Sequence, residues 1–271
     1  MKLIFKKLLQ YYLKYITKLV IFIHHPFVIV IAGSTNKTFA KEEIVRILAE
    51  KGIKARSNPK SFNTEIGLPL AILNLPSGYH SYLEWLPIII KAPFNILRHC
   101  RSGSYSRPSR AGAKSAPTLI DVLVLELGVS EPGDMKYLLS IIKPEIAVIT
   151  DITQRYLDAF GDMDELAGEY EYLAKTVKKN GLLILNYDNL RVKNMAKVAK
   201  AKIETFGLKD GAGWQAAEIK KIDDGQQVVV AHGGVASRHE IKRFGEHQLY
   251  CLLIGLIIAS YVQEKKKILF S

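Results

Sequence analysis

The sequence is poor in the features that define several classes of protein. It has only two cysteines among its 271 residues, Cys100 and Cys251, and their separation excludes a disulfide scaffold or a clustered metal-binding motif. Its 10 prolines and 19 glycines are too few for a collagen-like or low-complexity chain. The two thiols are therefore predicted to be free and buried, as in proteins of a reducing cytoplasmic compartment.

Acidic residues are absent from two stretches of the chain. None occurs in residues 1–25, and none lies between Glu84 and Asp121. The formal net charge of +12 is concentrated accordingly: residues 1–120 hold 18 basic and 5 acidic side chains, while residues 121–271 hold 20 and 21. An anionic partner is therefore expected to meet the N-terminal part of the chain.

Residues 1–25 lack an uninterrupted apolar run, which argues against a membrane span and a signal peptide. On a helix, one side is polar and the opposite side is apolar. The polar side carries Lys2, Lys6, Gln10, Lys14 and Lys18, joined by Lys7 and Thr17. The apolar side carries Leu8, Tyr12, Tyr15, Ile16 and Leu19. This pattern predicts a basic amphipathic helix. Two interpretations stay open: peripheral contact with an anionic surface at the inner face of the plasma membrane, or packing on its own domain or a partner subunit.

From Phe27 onward, short apolar runs alternate with helical periodicity. Buried strands are predicted at Phe27–Ala32 and at residues 119–127, 145–150 and 181–186, with helices at 163–178 and 189–200. A late strand at 226–231, antiparallel to 218–222, precedes an apolar helix at 248–262. Residues 26–271 are therefore predicted to form one α/β domain, a mostly parallel sheet with helices on both faces.

Residues 98–117 interrupt this pattern because they are rich in Ser, Gly, Pro and Arg. Such a segment buries little apolar surface, so a disordered basic insertion is predicted. A nucleic-acid contact is the less favoured interpretation, because Tyr105 is the only aromatic residue among the basic ones.

A phosphate-binding turn is predicted where the first strand meets its helix. The strand runs into Gly33, Ser34, Thr35, Asn36, Lys37 and Thr38. Backbone N–H groups, the helix dipole and a lysine converge on phosphate at such a junction, and the threonine hydroxyl is placed for Mg²⁺. Asn36 stands where glycine is usual, and asparagine best tolerates a left-handed backbone. An ordinary β-to-α turn is the alternative.

Five ordered motifs give the sequence a family resemblance. They are IAGSTNKTFAKEEI (31–44), SFNTEIGLPLAIL (61–73), VLELGVSEPGDMKYL (124–138), GLLILNYDN (181–189) and RFGEHQLYCLLIGLIIA (243–259). In order and spacing they resemble the central ATP-binding domain of the Mur ligase family, most closely the branch that adds D-alanyl-D-alanine to a UDP-muramoyl peptide. The resemblance covers the chain from about Phe27.

The resemblance implies ATP-dependent amide formation in peptidoglycan precursor synthesis: a carboxylate is phosphorylated, and an amine attacks the acyl phosphate. It implies ATP and Mg²⁺ as ligands, with Lys37 on the β- and γ-phosphates and Thr38 and Glu126 on the metal. Asn63 or Thr64 would lie near the γ-phosphate and the substrate, and His247 and Gln248 near the adenine. Lys37, Glu126 and Asn63 are thus the candidate catalytic residues, and 33–38 with His247 and Gln248 the nucleotide-binding set.

The sequence also departs from the family pattern. Tyr156 and Tyr170 stand where the family carries a metal-binding histidine and a carbamylated lysine, and Cys251 stands in place of an asparagine. A neutral phenol is a poor Mg²⁺ ligand. The family's N-terminal UDP-sugar domain and C-terminal amino-acid domain have no counterpart here, so a partner or further sequence is expected to supply them. Two hypotheses remain: a ligase that needs completion, or a catalytically degenerate nucleotide-binding regulator or scaffold at the membrane surface.

Overall fold

The computed structural model describes residues 3–59, 62–78, 81–98, 122–155 and 157–270. Its helices are α1 Leu3–His24, α2 Lys37–Glu50, α3 Gly67–Leu73, α4 Tyr82–Arg98, α5 Asp134–Leu139, α6 Met163–Thr176, α7 Leu190–Asn194 and α8 Glu246–Phe270. Its strands are β1 Phe27–Ala32, β2 Ala55–Ser57, β3 Val122–Glu126, β4 Ile146–Ile149, β5 Leu182–Asn186, β6 Lys202–Gly207, β7 Trp214–Ile222, β8 Gly225–His232 and β9 Val235–Ile241. Tyr156, Cys100 and all of the predicted insertion after Arg98 lie outside the described residues.

The described strands form one sheet in the order β2-β3-β1-β4-β5-β6-β7-β8-β9. The strands from β2 to β7 pair in parallel, and β7, β8 and β9 pair antiparallel. The central strands β1, β3, β4 and β5 are apolar and almost wholly buried, as expected for parallel strands covered on both faces. The predicted α/β class and mostly parallel sheet are therefore confirmed.

Two hydrophobic layers cover opposite faces of this sheet. Alternate strand residues such as Val124 and Leu125 belong to different layers, because successive side chains point to opposite faces. Helices α5 and α6 pack in the layer that contains Leu125, and α2 and α8 pack in the layer that contains Val124. The face carrying α2 is the one toward which Glu126 extends, two residues after Val124.

A third hydrophobic cluster joins α1, α3 and α4 at one side of the sheet. Leu9, Leu13 and Val20 of α1 are buried in it, with Leu70 of α3 and Trp85 of α4. The predicted helix is therefore present and packs on its own domain, but its packed side differs from the predicted one. Of the five residues expected on its apolar side, Leu8, Tyr15 and Leu19 are exposed.

Several elements differ from the sequence predictions. Helical periodicity over 189–200 gives only α7 and a short 3₁₀ turn at Met195–Lys197, because the chain turns into β6 soon afterwards. Helix α8 is longer than predicted, starting at Glu246. Within the described part of the chain, no helix is both long and apolar enough to cross a membrane.

Candidate functional site

The predicted phosphate-binding turn, residues 33–38, joins β1 to α2, and we call it the phosphate loop. Gly33 has a φ of +134°, and a Cβ there would lie 2.2 Å from the Thr150 hydroxyl oxygen, so a side chain is excluded. Asn36 adopts the left-handed conformation with a φ of 61°, as predicted from its residue type, and its side chain makes no cap hydrogen bond. Helix α2 then begins at Lys37, so its first N–H groups and its positive dipole end border the loop.

Lys37 folds back over this loop. Its side chain is largely buried, and Nζ donates a 2.6 Å hydrogen bond to the Gly33 carbonyl oxygen. Burial lowers the pKa of the Lys37 ammonium, while Glu126 acts to raise it and Arg155 to lower it further. A phosphate anion beside Lys37 would compensate the buried positive charge, so the loop is electrostatically suited to one.

Glu126 at the end of β3 is held by three side chains, two from α2 and one from the segment after β2. Thr38 Oγ1 donates to its Oε2 at 2.9 Å, and Asn63 Nδ2 donates to its Oε1 at 3.0 Å. Lys41 Nζ lies 3.5 Å from Oε2 and donates at 2.8 Å to the Asn58 carbonyl oxygen. The structure thus brings together the predicted residues Thr38, Asn63 and Glu126, next to Lys37.

Asn58 fixes the main chain of Glu126. Its Oδ1 accepts from the Glu126 N–H at 2.9 Å, and its Nδ2 donates to the Glu126 carbonyl at 3.1 Å. Asn58 and Lys41, both of which are buried, were not among the predicted site residues. The sequence does carry a signal for Lys41. It lies four residues after Lys37, so both lysines are on the same side of α2.

The oxygen donors at this place fit a magnesium ion. The Thr38 hydroxyl and the Glu126 carboxylate are hard ligands in direct contact, and the loop beside them suits phosphate. Among the described residues there is no cluster of three or more His, Cys, Asp or Glu side chains that could enclose a metal. A single carboxylate matches Mg²⁺, which keeps several waters and binds substrate phosphates rather than an all-protein cage.

The loop that follows β4 contains Asp151 and Thr153, and it makes hydrogen bonds to the phosphate loop. The Asp151 carbonyl accepts from the Ser34 N–H at 2.7 Å, and its carboxylate accepts from Thr35 Oγ1 at 3.1 Å and from Asn189 Nδ2 at 2.6 Å. The Ser34 hydroxyl accepts from the Thr153 N–H at 3.0 Å. The side chains of Ser34 and Thr35 and the Ser34 N–H are therefore used within the protein, where they hold the loop in shape.

The N-terminal end of α8 approaches the same region. The His247 and Phe39 rings lie 5.6 Å apart, centre to centre, and Phe39 is the third residue of α2. Gln248 is buried, and its N–H donates to the Gly245 carbonyl at 3.1 Å. His247 and Gln248 thus both lie in the first turn of α8, with the His247 ring beside the first turn of α2.

Comparison with known proteins assigns the family. The sequence profile of the Mur ligase middle domain matches residues 111–259, more than half of the chain. The chain belongs to the Mur ligase family.

The relatives agree with this assignment. UDP-N-acetylmuramoyl-tripeptide--D-alanyl-D-alanine ligase of Bacillus subtilis is 20% identical over 234 residues, covering 86% of this chain and 41% of the relative. The same enzyme of Buchnera aphidicola is 27% identical over 201 residues, covering 74% of this chain and 35% of the relative. This chain thus spans less than half the length of these relatives.

Solved structures share the fold. A structure of the MurF ligase of Thermotoga maritima in complex with ADP has a TM-score of 0.70 at 19% identity, and covers 93% of this chain and 49% of that one. A MurF structure from Acinetobacter baumannii has a TM-score of 0.68 at 18% identity, and covers 94% and 46%. The predicted Mur ligase central-domain fold is confirmed.

Two departures from the Mur ligase pattern are packing residues in this structure. Tyr170 is buried on α6, in the hydrophobic layer on the sheet face opposite the one that carries α2. Its ring therefore packs in this hydrophobic layer, whereas the family resemblance implied a metal ligand at this position. Cys251 is buried in α8, and burial raises the pKa of its thiol to about 12, so it too is a core side chain. The predicted position of Tyr156 lies outside the described residues.

Proposed function

We propose that this chain binds Mg·ATP at the β1–α2 turn, as the nucleotide-binding central domain of a Mur-type ligase. One observation carries the proposal: Thr38 and Glu126 are joined by a 2.9 Å hydrogen bond beside a glycine loop covered by the buried Lys37. The ADP complex of the Thermotoga maritima ligase supports it by fold analogy.

Each residue has a physical role in this proposal. Lys37 neutralises the β- and γ-phosphates, and the loop N–H groups hold them. Thr38 and Glu126 hold Mg²⁺, which supplies charge neutralisation at the transferring phosphoryl group. Asn63 orients the Glu126 carboxylate and faces the γ-phosphate side, and His247 stacks on the adenine with Phe39.

We propose peptidoglycan precursor synthesis as the process. The curated relatives are named for joining a UDP-N-acetylmuramoyl tripeptide to D-alanyl-D-alanine, so these are the proposed carboxylate and amine classes. Because the chain covers less than half of those relatives, amide formation is proposed only together with a partner or further sequence. Amide formation by this chain alone, assayed with both substrates and Mg·ATP, would contradict that dependence.

A second candidate function is a nucleotide-binding regulator or scaffold without turnover, at the inner face of the plasma membrane. It is favoured by the core position of Tyr170, which stands in a hydrophobic layer although the Mur ligase resemblance implies a metal ligand at that position. Both candidates require nucleotide binding and differ in whether phosphoryl transfer follows.

Isothermal titration calorimetry with Mg·ATP tests the proposal. We expect saturable binding by the wild type and a loss of at least about tenfold in affinity for Lys37→Ala, since charge-assisted phosphate contacts contribute about 1.5–3 kcal/mol. Lys220→Ala removes an exposed lysine of β7 and serves as the matched control, with wild-type affinity. Equal affinities for wild type and Lys37→Ala, or no binding by the wild type, would overturn the proposal.

A further inference from the structure

Helices α1 and α4 lie side by side on the third hydrophobic cluster. The Tyr12 hydroxyl of α1 donates a 2.7 Å hydrogen bond to the Ile89 carbonyl of α4. Both helices bury one side in the same cluster, with Leu9 and Leu13 from α1 and Trp85 and Ile88 from α4. Their opposite sides are therefore exposed next to each other.

This outward surface is strongly apolar, although it is exposed. Its large side chains are between 44% and 80% accessible and recur every three or four residues along each helix: Ile4, Leu8, Tyr11, Tyr15, Leu19 and Phe22 on α1, and Leu83, Leu86, Ile90 and Phe94 on α4. We call these ten residues the α1–α4 face. Isolated exposed apolar residues are common, but two adjacent stripes of this size mark a surface that binds something.

Lysines border the α1–α4 face. Lys7 and Lys18 are exposed on α1 next to the apolar stripe, and Lys91 is exposed on α4. Two further lysines of α1 are used within the protein, since Lys6 forms a 2.7 Å ion pair with Glu65 and Lys14 lies 4.7 Å from the Tyr137 ring centre. Residues 1–25 contain no acid, so α1 presents positive charge only; α4 adds Glu84.

The charge and the aromatic content decide between possible occupants. Two copies of the face in a symmetric dimer would bring the same lysines together, and lysine is depleted from protein interfaces. At a lipid headgroup layer, by contrast, lysines reach anionic phosphates while tyrosine and phenylalanine enter the boundary between headgroups and acyl chains. Helix α1 is not apolar enough to cross a bilayer, which leaves a position on its surface.

We propose that the α1–α4 face binds an anionic phospholipid surface, with both helices parallel to the membrane plane. The apolar stripes insert to headgroup depth, and Lys7, Lys18 and Lys91 contact lipid phosphates. This proposal is independent of nucleotide binding, because the face belongs to the third cluster and not to the phosphate loop. It would hold the nucleotide site at the membrane surface.

Vesicle co-sedimentation of the full chain, without nucleotide, tests the proposal. Vesicles of phosphatidylcholine alone are compared with vesicles that also contain phosphatidylglycerol, at low and high salt. We expect binding to the anionic vesicles only, weakening as salt rises. Lys7→Glu/Lys18→Glu should reduce the partition coefficient at least about tenfold, because each lysine near the surface contributes several-fold to binding.

Two matched controls separate the face from general charge and hydrophobicity. Lys220→Glu/Lys221→Glu makes the same charge change on exposed residues of β7 and should bind like the wild type. Leu8→Ser/Tyr15→Ser/Phe22→Ser should abolish binding, whereas Leu190→Ser/Val235→Ser/Phe244→Ser, all exposed elsewhere, should not. Thermal melts confirm that each variant is folded.

Three results would overturn the proposal. Absence of binding to anionic vesicles would exclude a lipid surface. Equal binding to neutral vesicles at high salt would exclude the role of the lysines. A dimer in sedimentation velocity that Leu8→Ser/Tyr15→Ser/Phe22→Ser dissociates, without vesicle binding by the wild type, would assign the face to a second copy of the chain.

Discussion

At the scale of single residues, the phosphate loop depends on two backbone conformations that few side chains adopt. Only glycine fits at position 33, because Thr150 and the main chain of Asp151 occupy the space that a Cβ atom would need. Asn36 is different: its left-handed φ of 61° is compatible with asparagine and better with glycine. The loop therefore keeps its shape without the usual glycine, while the Asn36 side chain stands at its rim.

Substitutions of Asn36 test this account of the loop. Asn36→Val should lower the free energy of unfolding by about 1–2 kcal/mol, because a β-branched residue is strained in the left-handed region. Asn36→Gly should change it by less than about 1 kcal/mol and leave Mg·ATP affinity equal or higher. Urea denaturation and calorimetry measure both quantities, and a neutral Asn36→Val would show that the backbone at this position is not left-handed.

Lys37 predicts a pH dependence of stability. Burial lowers its pKa in the folded protein below the unfolded value of about 10.4. Below the lowered pKa, Lys37 is protonated in both the folded and the unfolded state, so the buried charge lowers the free energy of unfolding by its full amount. Between the two pKa values the folded state loses its proton first, so wild-type stability rises with pH relative to a variant without the amine.

Lys37→Met should therefore be at least as stable as the wild type near neutral pH, and its advantage should shrink toward about pH 10. Chemical denaturation at several pH values provides the measurement, with Lys220→Met as the exposed control. An advantage that grows with alkaline pH would contradict the direction of the Lys37 pKa shift.

At the scale of secondary-structure elements, Asn58 helps to join the segment after β2 to the end of β3. Asn58 makes hydrogen bonds to the main-chain N–H and carbonyl of Glu126 and to the Phe62 carbonyl. This contact sets where the Glu126 carboxylate lies relative to α2.

Asn58→Ala should lower the free energy of unfolding by about 2–3 kcal/mol, because it leaves the buried Glu126 N–H without its partner. It should also weaken Mg·ATP binding, through displacement of Glu126. Asn194→Ala, at the exposed end of α7 and in right-handed helical conformation, is the control. A stable variant with lost nucleotide binding would show that Asn58 acts on the ligand rather than on the fold.

Elements with a strong apolar signal could be predicted from the sequence, and others could not. The observed bounds of β1, β4, β5 and α6 match the predicted ones within a few residues. A strand that is buried on both faces appears in the sequence as a short apolar run, and a helix that is buried on one face has apolar residues at helical spacing. β9 and β6 were missed, since β9 is a polar edge strand and β6 begins with exposed and half-buried residues. α4 was missed because Pro87 and Pro93 lie inside it.

At the scale of the whole molecule, the site lies where the strand order reverses. β1 is flanked by β3 on one side and β4 on the other, so the loops after these strands diverge and leave a crevice at their carboxyl ends. The strand–turn–helix motif predicted Lys37 and Thr38, and the family resemblance predicted Glu126. The contacts that Asn58 and Asp151 make could not be predicted, because they join segments distant in sequence.

In the proposed function, Thr38 and Glu126 complete a magnesium–nucleotide site on the Lys37 loop. The most direct measurement is the ATP dissociation constant with Mg²⁺ and with EDTA, for the wild type and for Glu126→Gln. We predict that Mg²⁺ tightens ATP binding to the wild type by about tenfold or more, a coupling of roughly 1.4 kcal/mol, and that this coupling disappears in the folded Glu126→Gln protein. An undiminished magnesium effect in Glu126→Gln would contradict the account.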